Sequence, residues 1–344
     1  MKLNWTCVVL AALLTPGATL PALAQDCAPA PESVGSLAFG SRYEEGSETR
    51  SDIDAKAAEE ADDAVRPIDD FLRALTEQAN SVYAEGADQS AIANCVVGQI
   101  ATWAKADALS DLGSETARLT IGSRIAGFGL VLLQVLPHAE KGPETKEIEA
   151  WLARMMQAQM LFWEDEAAEG SKQGNLRAWS ALGGATVAQI TGDPVILGWS
   201  GWSVQYVVCK AEDDGSLPQE MRRGKFALQY QMHSLAALVA ATLILEKQGV
   251  QIEGVCDNAL DRAAAFAVKD LTNSGSASEA ISGKPQSFFD GTDEIEGFNV
   301  AWIEPYLKLA PKAYKGKLKA LADEFRPMSY SKLGGNQTLL WDNF

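Results

Sequence analysis

Apolar residues recur through most of the chain at the spacing of one face of an α-helix. In residues 52–84 the apolar positions are Ile53, Ala57, Val65, Ile68, Leu72 and Leu75. Further helices are predicted at residues 89–106, 115–136, 145–168, 174–190, 194–212, 217–247, 256–272 and 300–324. Alternation of apolar and polar residues, the mark of a strand, is scarce. The pattern therefore predicts an all-α protein of antiparallel helical hairpins, arranged either as a bundle or as a closed ring.

Residues that begin and end helices support this assignment. Gly192 is suited to ending one helix, Asp193 to capping the next, and Pro194 to its first position. Ser216, three residues before a glutamine, resembles a capping box for the helix predicted next. The Gly-, Ser- and Asp-rich stretch 273–297 is predicted to be a long loop, and such loops are often functional.

Residues 1–25 have the pattern of a secretory signal peptide. Lys2 supplies a positive start, the apolar run Trp5–Leu14 is too short to span a bilayer, and Ala22-Leu23-Ala24 offers a cleavage site. The alternative is an N-terminal helix buried in the fold. No later apolar run approaches ~20 residues and no composition break divides the chain, so residues 26–344 are predicted to form one domain without a membrane span. The expected location is the periplasm or the medium.

Composition and charge narrow the function classes. Hydrophobic residues make up 47% of the 344 residues and charged residues 22%, the balance of a folded globular protein. The 29 basic and 46 acidic residues give a net charge of −17, which argues against nucleic-acid binding. A polyanionic substrate would require a locally basic cleft in this acidic protein.

The cysteine count predicts disulfides rather than a metal site. Cys7 lies in the predicted signal peptide, which leaves Cys27, Cys95, Cys209 and Cys256. In an oxidising compartment four cysteines indicate two disulfides, for which three connectivities are possible. No C-x-x-C spacing occurs and the chain has two histidines, so the usual ligand cluster of a structural zinc site is missing and no metal is expected.

Sequence fingerprints of common enzyme classes are missing. No nucleophile elbow, phosphate-binding loop, dinucleotide motif or zinc-protease motif stands in a convincing context. Acidic pairs such as Glu59-Glu60 have the pattern of a solvated helix face, and nothing marks them as the carboxylates of a glycosidase.

A row of polar residues on the helix predicted at 217–247 is a better candidate for chemistry. Arg223 and Tyr230 are seven residues apart, so two helical turns place them on one face. His233 follows Tyr230 by three residues and points to nearly the same side. The alternative is a tyrosine and a histidine that hydrogen-bond inside a core, with the arginine at its rim.

Two further patches combine polar and aromatic residues. Asn175 and Arg177 stand close together at a predicted helix start, with Trp179 one turn later. Arg42-Tyr43 forms a basic-aromatic pair near the mature N-terminus. Each patch alone is a weak signal.

Taken together, these segments resemble the alginate lyase family of polysaccharide lyases through nearly all of the mature chain. The similar segments are Ser36–Glu44, Glu147–Arg154, Gly215–Glu220, Ala301–Tyr306 and the closing Leu333-Gly334-Gly335. The resemblance implies an incomplete (α/α) toroid of antiparallel helical hairpins, in a single domain. It also implies cleavage of an acidic polysaccharide, a polyuronate, by β-elimination.

Departures from the family pattern bear on the substrate. Mannuronate-cleaving members carry Asn-Asn-His followed three residues later by Trp, whereas here Asn175 falls on the second asparagine and Leu176 on the histidine. Arg42 stands at the position where the family has a lysine. The Asn-Leu-Arg run together with the Tyr-Gln-Met-His run ending at His233 is similar to a side branch that includes glucuronan lyases. The expected substrate is therefore a β-1,4-linked glucuronan or a mannuronan-type polymer, with a mannuronate-specific alginate lyase or a non-catalytic polyuronate-binding or export protein as alternatives.

The resemblance also implies roles for individual residues. Tyr230, His233, Asn175 and Arg223 are expected to be catalytic, and Arg42, Tyr43, Arg177, Arg222 and Trp179 to bind substrate. Tyr230 suits both proton transfers if nearby cations lower its pKa, while His233 is the alternative base. The four arginines are expected to converge on one groove. The resemblance pairs Cys27 with Cys95 and Cys209 with Cys256, and we expect a monomer that needs no cofactor.

Overall fold

The computed structural model describes residues 27–344, and the predicted signal peptide at 1–25 lies outside the described residues. Helices dominate this part of the chain. In chain order the α-helices are α1 (Ala55–Asn80), α2 (Gln89–Lys105), α3 (Glu115–Thr120), α4 (Gly122–Val135), α5 (Pro143–Leu161), α6 (Glu169–Lys172), α7 (Asn175–Thr191), α8 (Pro194–Val208), α9 (Pro218–Met221), α10 (Ala227–Lys247), α11 (Val255–Leu271), α12 (Ser276–Ser282), α13 (Ile303–Leu309), α14 (Lys312–Phe325) and α15 (Gln337–Asn343).

Strands are short and lie at the edges of the helical body. Strand β1 (Ser36–Leu37) pairs in parallel with β2 (Asp111–Leu112), and β3 (Ser329–Tyr330) pairs antiparallel with β4 (Gly335–Asn336). The all-α prediction is therefore confirmed. The helices form the incomplete toroid of hairpins that the resemblance implied.

Three helices form the inside of the toroid. Helix α7 packs against α4, α8 and α10, and most side chains of α4, α7 and α10 are buried. Two apolar cores meet at α4. One extends from α1 and α2 to α5, and the other from α7 and α10 to α11 and α13. Helices α7 and α10 carry Asn175, Tyr230 and His233 of the candidate site.

The α7–α8 hairpin follows the predicted turn. Gly192 ends α7 with a φ of 72°. The Asp193 side chain accepts hydrogen bonds from the backbone N–H groups of Val195 at 2.8 Å and Ile196 at 3.2 Å, and Pro194 is the first residue of α8. These three predictions are confirmed, because each depends on local backbone chemistry.

The prediction of one continuous helix at 217–247 is wrong. The chain instead forms the short α9, a 3₁₀ turn at Gly224–Phe226 and then α10. Gly224 has a φ of 56°, a left-handed conformation that interrupts the helix at low steric cost. The predicted capping box is also wrong, because the Ser216 hydroxyl donates to Asp214 Oδ1 at 2.7 Å. The break leaves Arg223 outside α10.

Other helix predictions needed smaller corrections. The segments predicted at 115–136 and 300–324 each form two helices, α3 with α4 and α13 with α14. The segment predicted at 145–168 ends in a π-helical turn, Phe162–Glu166. The predicted loop 273–297 contains the short helix α12.

Two disulfides tie the fold together. Cys27 is bonded to Cys95, and Cys209 to Cys256. Both pairings implied by the family resemblance are confirmed. The first disulfide fixes the described N-terminal segment to α2, and the second joins the end of α8 to the start of α11.

Two helical stretches, Glu115–Val135 and Gly224–Lys247, are long and apolar enough to cross a membrane. Most of their residues are buried inside the fold, as expected for core helices.

Candidate functional site

Three predicted site residues meet at the start of α10. The Tyr230 hydroxyl hydrogen-bonds to the Tyr43 hydroxyl. The guanidinium carbon of Arg223 lies 3.8 Å from the centroid of the Tyr230 ring and 5.0 Å from that of Tyr43. Arg223 Nη2 also donates to the Arg50 carbonyl at 3.0 Å, so it holds the loop after Tyr43 against α10. The structure thus brings together a phenol, a second phenol and a guanidinium group.

Burial decides the protonation state of Tyr230. It raises the pKa of the Tyr230 phenol above its ordinary value, and the positive charge of Arg223 opposes this rise without reversing it. The sequence analysis assigned both proton transfers to Tyr230 on the condition that nearby cations lower this pKa, and the net shift is in the opposite direction. The phenol is therefore neutral at neutral pH and carries a proton that it can donate.

His233 lies one helical turn beyond Tyr230. Its ring centroid is 6.2 Å from that of Tyr230 and 5.1 Å from that of Trp179. Burial lowers the pKa of His233 to about 3, and the positive charges of Lys332 and Arg223 add to this effect. At neutral pH the imidazole is uncharged and has a nitrogen free to accept a proton.

Sequence reasoning missed Lys332. It lies in a 3₁₀ turn, Ser331–Leu333, near the C-terminus. This turn packs against α1, α4 and α10. Lys332 Nζ is 3.4 Å from Asp69 Oδ2, and Arg124 also binds that carboxylate through two hydrogen bonds of 2.8 Å. Burial lowers the pKa of Lys332 to about 8, with a further contribution from Arg124. The available signal was its position directly before the family-like Leu-Gly-Gly run.

Arg42 also reaches this region. It forms an ion pair of 2.7 Å with Asp62, and its charge contributes to the lowered pKa of Lys332. We call Tyr43, Arg223, Tyr230, His233 and Lys332 the central cluster.

Asn175 is held beside the central cluster by a glutamate that sequence reasoning did not assign. The backbone N–H of Asn175 donates to Glu220 Oε1 at 2.7 Å, and its side-chain Nδ2 donates to Glu220 Oε2 at 2.9 Å. The Ser234 hydroxyl donates to Glu220 Oε1 at 2.9 Å. Glu220, which lies three residues before Arg223, thereby links the start of α7 to α10.

Three predicted substrate-binding residues lie outside the central cluster. Arg177 is 2% exposed and forms an ion pair with the exposed carboxylate of Glu164. Arg222 lines a separate surface depression, together with Glu48 and other residues. Trp179 is 1% exposed and packs beneath His233.

These positions correct the expectation that four arginines converge. The structure places Arg223 and Lys332 in the central cluster, and the charge of Arg42 acts on Lys332. Arg177 is retained inside the fold because its charge is neutralised by Glu164 there, and its Nε donates to Ser203 at 3.1 Å.

The helical toroid brings a neutral phenol, an uncharged imidazole and several cations close together, the groups that a polysaccharide lyase requires. Comparison with known proteins makes this more specific. The family model for alginate lyase matches residues 38–277, and the chain belongs to that family.

Curated relatives agree with this assignment, and solved structures share the fold. An alginate lyase of Pseudomonas syringae pv. tomato is 26% identical over 314 residues, which cover 89% of this chain and 80% of the relative. An alginate lyase of Cobetia marina is 26% identical over 326 residues, covering 92% and 83%. Alginate lyase A1-III from Sphingomonas species A1 shares the fold with a TM-score of 0.74 at 19% identity, covering 92% of this chain and 86% of that one. A histidine-to-alanine variant of A1-III, complexed with a tetrasaccharide, gives a TM-score of 0.77 at 20% identity over 94% and 88%.

Proposed function

We propose that the protein cleaves a β-1,4-linked polyuronate by β-elimination and leaves an unsaturated uronate at the new chain end. The observation that carries this proposal is the central cluster, in which Tyr230 and His233 present a proton donor and a proton acceptor one turn apart. The curated relatives are named alginate lyases, and alginate is itself a polyuronate.

The reaction needs three groups in fixed places. A base removes the proton at C5, the C4–C5 double bond forms, and the C4–oxygen bond breaks with its electron pair going to the oxygen. An acid then protonates that oxygen. The carboxylate next to C5 must be neutralised, because negative charge develops on it in the transition state. Arg223 and Asn175 are the residues that we assign to this task.

The protonation states favour a division of labour between two residues. His233 is uncharged and is the proposed base, while Tyr230 retains its proton and is the proposed acid. In both β-1,4-mannuronan and β-1,4-glucuronan the C5 proton and the C4 oxygen lie on the same side of the ring. Two groups on one face of α10 suit this geometry. The alternative, in which Tyr230 alone performs both steps, requires a phenolate that its burial disfavours.

We propose a glucuronan or a mannuronan-type polymer as the substrate. Leu176 stands where mannuronate-cleaving relatives have a histidine, and His233 offers an imidazole from a different helix. The two polymers differ at C2, so the side chains around that atom must decide between them. A mannuronate-specific alginate lyase is the second candidate, favoured by the names of the relatives.

We also propose that the protein is exported and that residues 26–344 act as one domain and as a monomer. The two disulfides support an oxidising compartment outside the cytoplasm.

The test is an absorbance assay for the unsaturated uronate on mannuronan, guluronan, glucuronan and hyaluronan. We expect activity on glucuronan, mannuronan or both, and little on the α-linked guluronan. The matched control is Tyr230→Phe, which should bind the same polymer and form product at least about 100-fold more slowly. Binding by the wild-type protein with no product from any polymer would favour a non-catalytic polyuronate-binding protein and overturn the proposal.

A further inference from the structure

Glu220 is a buried carboxyl group that forms no ion pair with a described residue. The residue is 1% exposed, and no lysine, arginine or histidine among residues 27–344 forms an ion pair with it within 4.0 Å. The charged or titratable groups that face it are Arg223 from its own segment and Tyr230 from α10, while α7 presents the neutral Asn175. Burying a carboxylate without a paired cation is costly, so such a group favours its neutral form. Burial accordingly raises the pKa of Glu220, although its hydrogen bonds with Asn175 and Ser234 oppose the rise.

The proton on Glu220 decides which end of the Asn175 amide points away from Glu220. An ionised carboxylate only accepts hydrogen bonds, so it binds the amide nitrogen of Asn175 and leaves Oδ1 without a hydrogen-bond partner. In this arrangement Asn175 Oδ1 is buried and has no hydrogen-bond partner among the described residues. A neutral carboxyl group has a proton to donate. A half-turn of the amide then places Oδ1 against Glu220 and frees the nitrogen, with almost no change of shape.

The two orientations have opposite consequences for a uronate. A free amide oxygen would repel the substrate carboxylate, and an ionised Glu220 behind it would add a second negative charge. A free amide nitrogen donates hydrogen bonds to that carboxylate and to the enolate that replaces it. Charge complementarity therefore favours the orientation in which Glu220 carries a proton.

We infer that Glu220 is a positioning residue that, as a neutral carboxyl group, donates from Oε2 to Asn175 Oδ1 and so presents the Asn175 nitrogen to the substrate carboxylate. This inference rests on the proposed function, because it assumes that Asn175 meets a uronate. Oε1 of Glu220 keeps its hydrogen bonds from the Asn175 backbone and from Ser234 in either state.

The chain leaves room for this contact at Gly174. A Cβ atom at that position would lie 2.8 Å from Glu220 Oε1 and 2.9 Å from Gln219 Cγ. The φ of Gly174 is −126°, which any residue can adopt, so close approach and not backbone conformation explains the glycine. An alanine there would push Glu220 away from the start of α7.

The kinetic test compares three variants. In Glu220→Gln the new amide accepts at Oε1 and donates from Nε2, as the neutral carboxyl group would, so kcat should stay within about threefold of the wild type. Glu220→Met fills similar space without either function, and kcat should fall by about 100-fold, the cost of misplacing a transition-state donor, with KM changed by less than about threefold. Ser234→Ala is the matched control, because it removes one donor to Glu220 and leaves the Asn175 contact intact. It should keep near-normal kcat.

An infrared measurement reads the proton without any substrate. At neutral pH the difference spectrum between the wild type and Glu220→Gln should contain the carbonyl band of a neutral carboxyl group. A difference spectrum with carboxylate bands alone would overturn the inference even in an active enzyme, and so would a large fall of kcat in a folded Glu220→Gln protein. If the band is present and no polymer is cleaved, the proposed function fails while the proton assignment holds.

Discussion

Replacing Tyr230 by phenylalanine removes one oxygen atom from the centre of the cluster. The ring remains, and so does the Arg223 guanidinium at 3.8 Å from it. What is lost is the proton carrier and the hydrogen bond with the Tyr43 hydroxyl. One such hydrogen bond contributes about 1 kcal/mol to stability. Loss of a general acid costs at least about 100-fold in rate, which corresponds to about 2.7 kcal/mol of activation free energy.

Tyr43→Phe is the control for this variant. It breaks the same hydrogen bond from the other side and keeps the Tyr230 phenol. Both variants should therefore lose a similar amount of thermal stability. Tyr43→Phe should keep kcat within about tenfold of the wild type, because no acid–base group is removed. Initial rates of unsaturated product formation and thermal unfolding of the same samples give both quantities. Equal losses of kcat in the two variants, or near-normal turnover in a folded Tyr230→Phe protein, would refute the role of Tyr230.

Four further outcomes follow from the same geometry. Arg223→Ala should lower kcat more than it raises KM, because the enolate charge develops mainly in the transition state; a rise in KM alone would assign Arg223 to simple binding. Lys332→Met removes a positive charge that lowers the pKa of His233, so that pKa should rise and the acid limb of the kcat/KM profile should move to higher pH; an unmoved limb would remove His233 as the base. Replacing Cys209 and Cys256 together by serine should reduce the free energy of unfolding by about 2–5 kcal/mol in chemical denaturation, and an unchanged midpoint would contradict this. Salt near 0.1 M should leave activity almost unchanged, while much higher salt should inhibit; a steep loss from the first additions would show that attraction already dominates beyond the Debye length of ~10 Å.

The fold was predictable where the sequence carries local chemistry. The turn from Gly192 to Pro194 follows from the backbone preferences of its residues, and the structure has it as expected. The break before α10 was not predictable from periodicity, because apolar residues continue through it at helical spacing. It depends on Gly224, which lies close to Ser51. Ser51 belongs to a loop that is far away in sequence. Tertiary contacts of that kind override a local helical pattern.

The candidate site was predictable in the same uneven way. Tyr230 and His233 share a helix face, so spacing alone placed them together. Asn175 and Arg177 are neighbours in sequence, but two residues on a helix point about 200° apart. When Asn175 faces α10, Arg177 must face the other way, toward Glu164. Lys332 reaches the site from a C-terminal turn, a contact that no local pattern encodes.

Both the protein and its proposed substrate are negatively charged. Whether a basic residue can attract the substrate depends on whether it is already ion-paired, more than on how many basic residues there are. Arg177 is neutralised by Glu164 and adds little to the field in the cleft. Arg223 instead has a backbone carbonyl as a partner, and among the described residues it forms no ion pair within 4.0 Å. Its charge is therefore available to an incoming carboxylate. In a molecule of net charge −17 this attraction is felt at short range, inside a cleft where low-dielectric walls concentrate it. A polyuronate must accordingly enter the cleft before it is held, and the contacts that bind it are those that later stabilise the enolate.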